Sequence, residues 1–398
     1  MMTTLLILIY IAFISLGLPD SIMGSAWPMV HTDLNVPIDF AGIFTMIVSG
    51  GTIVSSLLSE RLIRRFGTGK VTACSVALTA FALLGINFAP GFFWICLLGI
   101  PMGIGAGAVD AALNNFVALH YSARHMNFLH CFWGIGATAG PVIMSVFLGA
   151  NNGWRNGYAV IGTLQAILVI VLIISLPLWK KVETPEAEQE SQNSGTGFAG
   201  LLRLKGAKPT LISFLCYCAI EATAGLWGAT YLVYYRNIST QVAARWISTY
   251  YLGITIGRFL SGLISVYLDN RKLIRLGQAI IACGVLCLLI PVSVYFQMAG
   301  FILIGLGCAP IYPAMLHETP VKFGKDRSQE IMGIQMAIAY VGSTFLPPLF
   351  GVIGNRFGFY LLIPFLLIIC VIMIVTSERT GRVCYDREEL HEQSSGSK

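Results

Sequence analysis

The stretch "TIVSSLLSERLIRRFGTGK" (residues 52–70) runs from an apolar segment straight into a basic turn, and the sequence does this twice. At residues 255–262 "TIGRFLSG" echoes "TIVSSLLS", and the basic "DNRKLIR" (269–275) follows it. Between the two copies lie enough apolar segments to count six spans from one to the other. Internal similarity at that distance is the mark of two like halves, each of several membrane-crossing helices.

Composition agrees. Of the 398 residues 56% are hydrophobic and only 11% charged, and the mean hydropathy is +0.76. A soluble domain carries about 25% charged residues, so these values describe a polytopic membrane protein. The net charge of +6 does not point to nucleic acid, because in a membrane protein the Lys and Arg report orientation. The ten Cys sit mostly inside apolar runs with no zinc spacing, and read as small core hydrophobes. The first apolar run lacks a basic start and a cleavage site and reads as a retained span.

A helical span needs about 20 apolar residues. Such runs fall at 4–30, 38–62, 70–89, 92–119, 126–150 and 156–179, then at 209–235, 244–268, 272–292, 295–317, 328–352 and 356–377. The organisation expected is an N-terminal six-helix bundle (1–179), a linker (180–208) with a short surface helix around Phe198–Leu204, a C-terminal bundle (209–377) and a polar tail (378–398). The connections on one side, with the tail, hold 20 of the 25 Lys and Arg. Arg155, Arg236, Arg245 and Arg356 lie on the other side, and Arg258 lies within a span. The asymmetry predicts that both termini are cytoplasmic, in a cell inner (plasma) membrane. Two like bundles related by an axis along the membrane normal describe the major facilitator fold, an all-α architecture. In that fold spans 1, 4, 7 and 10 line the central cavity.

Three carboxylates lie deep in spans: Asp20 in the first, Asp110 in the fourth and Glu221 in the seventh. A carboxylate at membrane depth costs about 2.5–3.5 kcal/mol on insertion scales, and such groups mark substrate and proton pathways unless they are paired structurally. Asp20 and Asp110 are therefore candidate proton-coupling groups. Asp110 and Asn114 are four apart and share a helix face, offering acceptors and donors to hydroxyls. In "NFLHCFWGIGATAGP" (127–141) His130 and Trp133 are candidates for substrate contact, with a packing role for His130 the competing reading. Gly99, Gly103 and Gly107 form a small-xxx-small ridge suited to helix packing. In span 7 Glu221 faces open ground left by Gly225 and Gly228, and Trp227 and Tyr231 follow at i and i+4 as further candidate contacts. Arg258 calls for an acidic partner, and Glu221 is the unclaimed one. A structural ion pair and a substrate role are both open for these two. Pro310 and Pro313 predict a break in span 10.

These residues resemble the fucose–galactose–glucose:proton symporter branch of the major facilitator superfamily. "GLPD" (17–20) is similar to that branch's first-helix motif. "VDAALNNF" (109–116) resembles its acidic-x-x-x-Asn motif, with Asp110 where Glu is common. "NFLHCF" (127–132) resembles its Asn-x-x-Gln-x-Phe motif, with His130 in the Gln place. "GRF" (257–259) and "LPPLFG" (346–351) also fit. The resemblance implies proton-coupled import of a hexose-like solute by a monomer in the lipid bilayer, with Asp20 and Asp110 handling protons or substrate and no cofactor. Gly136, Gly140 and Pro141 partly resemble an antiporter motif, so proton-coupled export of lipophilic compounds is the competing reading. No large soluble segment suggests a sensor, and no metal or nucleophile constellation suggests an enzyme.

Overall fold

The computed structural model of the chain describes residues 2–121, 123–149, 153–180, 203–265, 267–290 and 293–395. Most of the linker, residues 181–202, and with it all of the expected surface helix but Arg203 and Leu204, lies outside that set. Among the described residues the chain is helical, with no strand. Six long helices form the first half: span 1 (Met2–Asp33), span 2 (Ala41–Phe66), span 3 (Thr68–Phe88), span 4 (Phe92–His120), span 5 (Ala123–Phe147) and span 6 (Gly153–Lys180). Six more form the second: span 7 (Ala207–Tyr234), span 8 (Thr240–Ile264), span 9 (Asn270–Leu289), span 10 (Val294–His317), span 11 (Lys325–Phe357) and span 12 (Leu362–Ser395).

Packing within the halves repeats. Spans 2 and 4, 3 and 4, and 1 and 5 pack together in the first, and spans 8 and 10, 9 and 10, and 7 and 11 in the second. Across the interface span 5 packs on span 8, span 2 on span 11 and span 1 on span 7. A two-fold axis exchanges the first two of these seams and maps the third onto itself.

Glycine makes the close approaches. A Cβ at Gly103 would strike the Val48 carbonyl, and one at Gly107 the Thr52 carbonyl, so the ridge on span 4 lets its backbone lie against span 2. Thr52 returns a hydrogen bond to the Gly103 carbonyl at 3.2 Å. Gly253 and Gly257 of span 8 sit in the same way against Ile302 and Leu306 of span 10. In lipid, packing and interhelical hydrogen bonds take over from the hydrophobic effect as the force between helices.

Eleven helices among the described residues are long and apolar enough to cross a membrane, and span 8, with 25 residues, is not among them. It carries Arg245, Ser248, Thr249, Thr255 and Arg258. Arg245 reaches Ser145 of span 5 and Arg258 lies by Glu221 of span 7, while Ser248, Thr249 and Thr255 bond carbonyls of their own helix, so these groups have protein partners in place of lipid.

Two local expectations are corrected, and one segment proves to be helical. Span 10 runs unbroken through Pro310 and Pro313, because packed neighbours compensate for a proline in a buried helix. The polar tail expected after residue 377 continues span 12 as helix through Ser395. Glu378 there lies 2.5 Å from Arg275 at the start of span 9, which pins the extension to the bundle. Span 1, read as one run, is two segments, Met2–Asp20 and Ile22–Asp33, meeting at Ser21. Pro19 has no N–H to give the Ser15 carbonyl. The Gln165 amide of span 6 takes that carbonyl at 2.7 Å, while Thr79 of span 3 holds Gln165 at 2.6 Å. Three helices thus stabilise the discontinuity that leaves Asp20 at a segment end.

Candidate functional site

Asp20 is exposed although Leu16 to Pro19 before it and Ser21 to Pro28 after it are buried. Its carboxylate therefore opens on a solvent-accessible space inside the molecule. Trp133 of span 5 donates its indole N–H to Asp20 Oδ2 at 2.8 Å. Asp110 lies within Coulombic reach. Its Oδ1 accepts from Asn114 Nδ2 at 2.9 Å, and the same amide reaches the Asp110 carbonyl at 3.0 Å. Both side chains are half-buried, whereas Asn115 is exposed on another face. Asn114 leaves its carbonyl oxygen, and Asp110 its second oxygen, unengaged by this pair.

His130 is half-buried and stands edge-on to Phe13, with ring centres 6.0 Å apart. It lies within Coulombic reach of Arg258. The Arg258 guanidinium sits over the Trp133 ring, 4.9 Å from its centre. Its Nη2 is 3.9 Å from Glu221 Oε1. Tyr217, one turn before Glu221, donates its hydroxyl to Glu221 Oε2, and Tyr250 donates to the Glu221 backbone carbonyl at 2.8 Å. Asp20, Trp133, Arg258 and Glu221 thus form a continuous chain of contacts from span 1 through spans 5 and 8 to span 7.

Trp227 and Tyr231 are not part of this cluster. Both are fully buried. Trp227 donates to the Pro347 carbonyl at 2.7 Å and packs against Phe350 and Phe359. Tyr231 donates to Gln297 at 2.9 Å and accepts from Arg236 Nε at 2.9 Å. These are contacts of a packed core toward the end of span 7.

The cluster includes residues the sequence did not single out. Tyr217 could have been found from its i, i+4 spacing to Glu221. Tyr251 and Tyr340 lie within Coulombic reach of Asp20 and Asp110 respectively, and no sequence pattern marks them.

The halves are closed on the side away from the basic connections. There His31 and Tyr234 hydrogen-bond across the interface, and Asn355 donates to Asp39 at 2.9 Å. Gly24 lies against the Gly225 backbone, and Gly42 against Pro348.

A family model described as "Major Facilitator Superfamily" matches residues 9–244 and 210–392. Among curated proteins the chain is 23% identical to "Bypass of stop codon protein 6" of Saccharomyces cerevisiae, over 92% of this chain and 79% of that one. It is 22% identical to "Glucose/mannose transporter GlcP" of Bacillus subtilis, over 86% of each. Among solved structures, a bacterial homologue of the human lysosomal transporter Spinster in an inward-facing, occupied conformation superposes with a TM-score of 0.71 at 12% identity. That match covers 96% of this chain and 97% of the other.

Proposed function

The chain belongs to the Major Facilitator Superfamily, and we propose that it imports a small polar solute of the hexose class together with a proton, by alternating access. The observation that carries this reading is the polar lining. A carboxylate–carboxamide pair, Asp110 with Asn114, lies within Coulombic reach of a second carboxylate, Asp20, which is open to solvent at membrane depth. Hydroxyl groups of a sugar can donate to the acceptor oxygens that this pair leaves unengaged, and an aromatic wall such as Trp133 suits the C–H face of the ring. The name of the Bacillus subtilis relative, a glucose/mannose transporter, points to the same solute class.

In this account Asp20 and Asp110 handle the proton, Asn114, His130 and Trp133 join Asp110 in holding the solute, and Glu221 with Arg258 closes the far wall. Trp227 and Tyr231 act from behind, keeping span 7 in place. With the side away from the basic connections closed and the termini cytoplasmic, the arrangement is inward-facing. The protein works as a monomer in the plasma membrane.

The exporter reading leaned on Gly136 and Gly140. Both lie against span 1, at the Ile14 and Leu18 carbonyls, which accounts for them by packing. The test is transport into proteoliposomes carrying an inward proton gradient, with radiolabelled glucose, mannose and fucose. Gradient-dependent accumulation of at least one is expected. Failure with every hexose, together with proton-driven expulsion of a lipophilic dye, would replace import by export.

A further inference from the structure

Trp133 touches both sides of the interface with different parts of one ring. Its N–H is given to Asp20 in the first half at 2.8 Å, and its face lies under Arg258 of the second half at 4.9 Å. Arg258 is in turn shared. At 3.9 Å from Glu221 it is within ion-pair range but beyond hydrogen-bond contact, so it has room to close on that carboxylate. The seam between spans 5 and 8 is tight at this level, because Gly134, next to Trp133, leaves space that Thr255 occupies.

We infer that Trp133 is the positioning residue that passes the charge state of Asp20 to the second half of the molecule. The inference rests on the proton-coupling reading above. While Asp20 is ionised, its bond to the indole N–H is charge-assisted, and the ring is held flat beneath Arg258. When Asp20 takes a proton from water, the acceptor becomes neutral and brings an O–H donor of its own. The hold on the indole weakens, the ring is free to turn, and Arg258 loses its cation–π partner. It then closes on Glu221, drawing span 8 toward span 7 and away from span 5. That seam is one of those that must part when the halves rock against each other.

Other ionisable groups facing the junction are Asp110 from span 4, His130 and Cys131 from span 5, Tyr217 from span 7, Tyr251 from span 8, and Cys308 and Tyr312 from span 10. Trp133 is the side chain that meets both Asp20 and Arg258 directly, one through its N–H and the other through its face. A structural role for Trp133 would change stability without changing how conformation depends on pH.

The test needs no solute. Spin labels at the exposed Asn35 and Ser239, on opposite halves of the closed side, report its opening in liposomes across a range of pH. In the wild type the ratio of open to closed populations changes by about tenfold on acidification, a shift within reach of one desolvated cation–π contact. Trp133→Phe keeps an aromatic face but loses the N–H, and should flatten that dependence to less than about twofold. Arg258→Lys keeps the charge but loses the planar stacking group; it should flatten the dependence too, and serves if Trp133→Phe does not fold. A variant that follows the wild-type pH profile overturns the relay and leaves proton coupling standing. A wild type that does not respond to pH overturns both. Hexose specificity plays no part in either result.

Discussion

Removing either Glu221 or Arg258 should destabilise the protein, and removing both should cost clearly less than the sum. At 3.9 Å two unit charges attract by about 4 kcal/mol at an effective dielectric of 20. Their side chains keep 24% and 18% of their surface exposed, so water screens part of that. Each charge also retains a partner when the other is deleted: Glu221 keeps the Tyr217 hydroxyl, and Arg258 keeps the Trp133 ring. These remnants place each single loss below the 3–5 kcal/mol typical of breaking a buried pair, at about 2–3 kcal/mol. The coupling energy should be about 1.5–2.5 kcal/mol. The assay is thermal unfolding of purified Glu221→Gln, Arg258→Gln and the double variant in one detergent. Strictly additive losses would refute the pairing and leave Glu221 available to the solute.

Asn114→Ala should weaken solute binding by about 1–3 kcal/mol, since it leaves Asp110 without its amide donor; calorimetric titration with whichever hexose the uptake assay identifies measures this, and unchanged affinity would move the site. Gly103→Leu and Gly107→Leu should each prevent folding or strip thermal stability, because the new Cβ meets the backbone of span 2 and cannot be accommodated by a side-chain shift; size-exclusion profiles and melting curves report it. Asp269 caps span 9 by accepting the Lys272 N–H at 2.7 Å, a bond that holds its carboxyl below the usual range. Asp269→Ala should cost about 1 kcal/mol near neutral pH. A depressed folded pKa means the contribution is present above the ordinary carboxylate value and is lost as pH falls through the folded one, so wild type and variant should converge in strong acid.

The parts of the fold that were legible in the sequence are those set by amount and spacing. Apolar runs and basic turns located the spans, and the glycine ridge on span 4 named its own packing face. The seventh span shows where this stops. It is apolar nearly all round, so nothing in its pattern fixes which side faces the interior. Glu221, Trp227 and Tyr231 could all be drawn toward one cavity, yet only Glu221 lies in the polar cluster. The break at Ser21 was equally hidden. Pro19 announces a lost hydrogen bond, but the repair comes from Gln165, a glutamine near the middle of an apolar helix far along the chain. The four-residue chain from Asp20 to Glu221 joins spans 1, 5, 8 and 7, a set no local pattern could have assembled.

If Asp20 carries the coupled proton, as proposed, transport by Asp20→Asn in proteoliposomes shows it without intermediaries. The substitution keeps an acceptor for the Trp133 indole while fixing the group in a neutral form. Hexose exchange between equal pools should then continue while accumulation driven by an inward proton gradient disappears. Accumulation at the wild-type level by Asp20→Asn would contradict it.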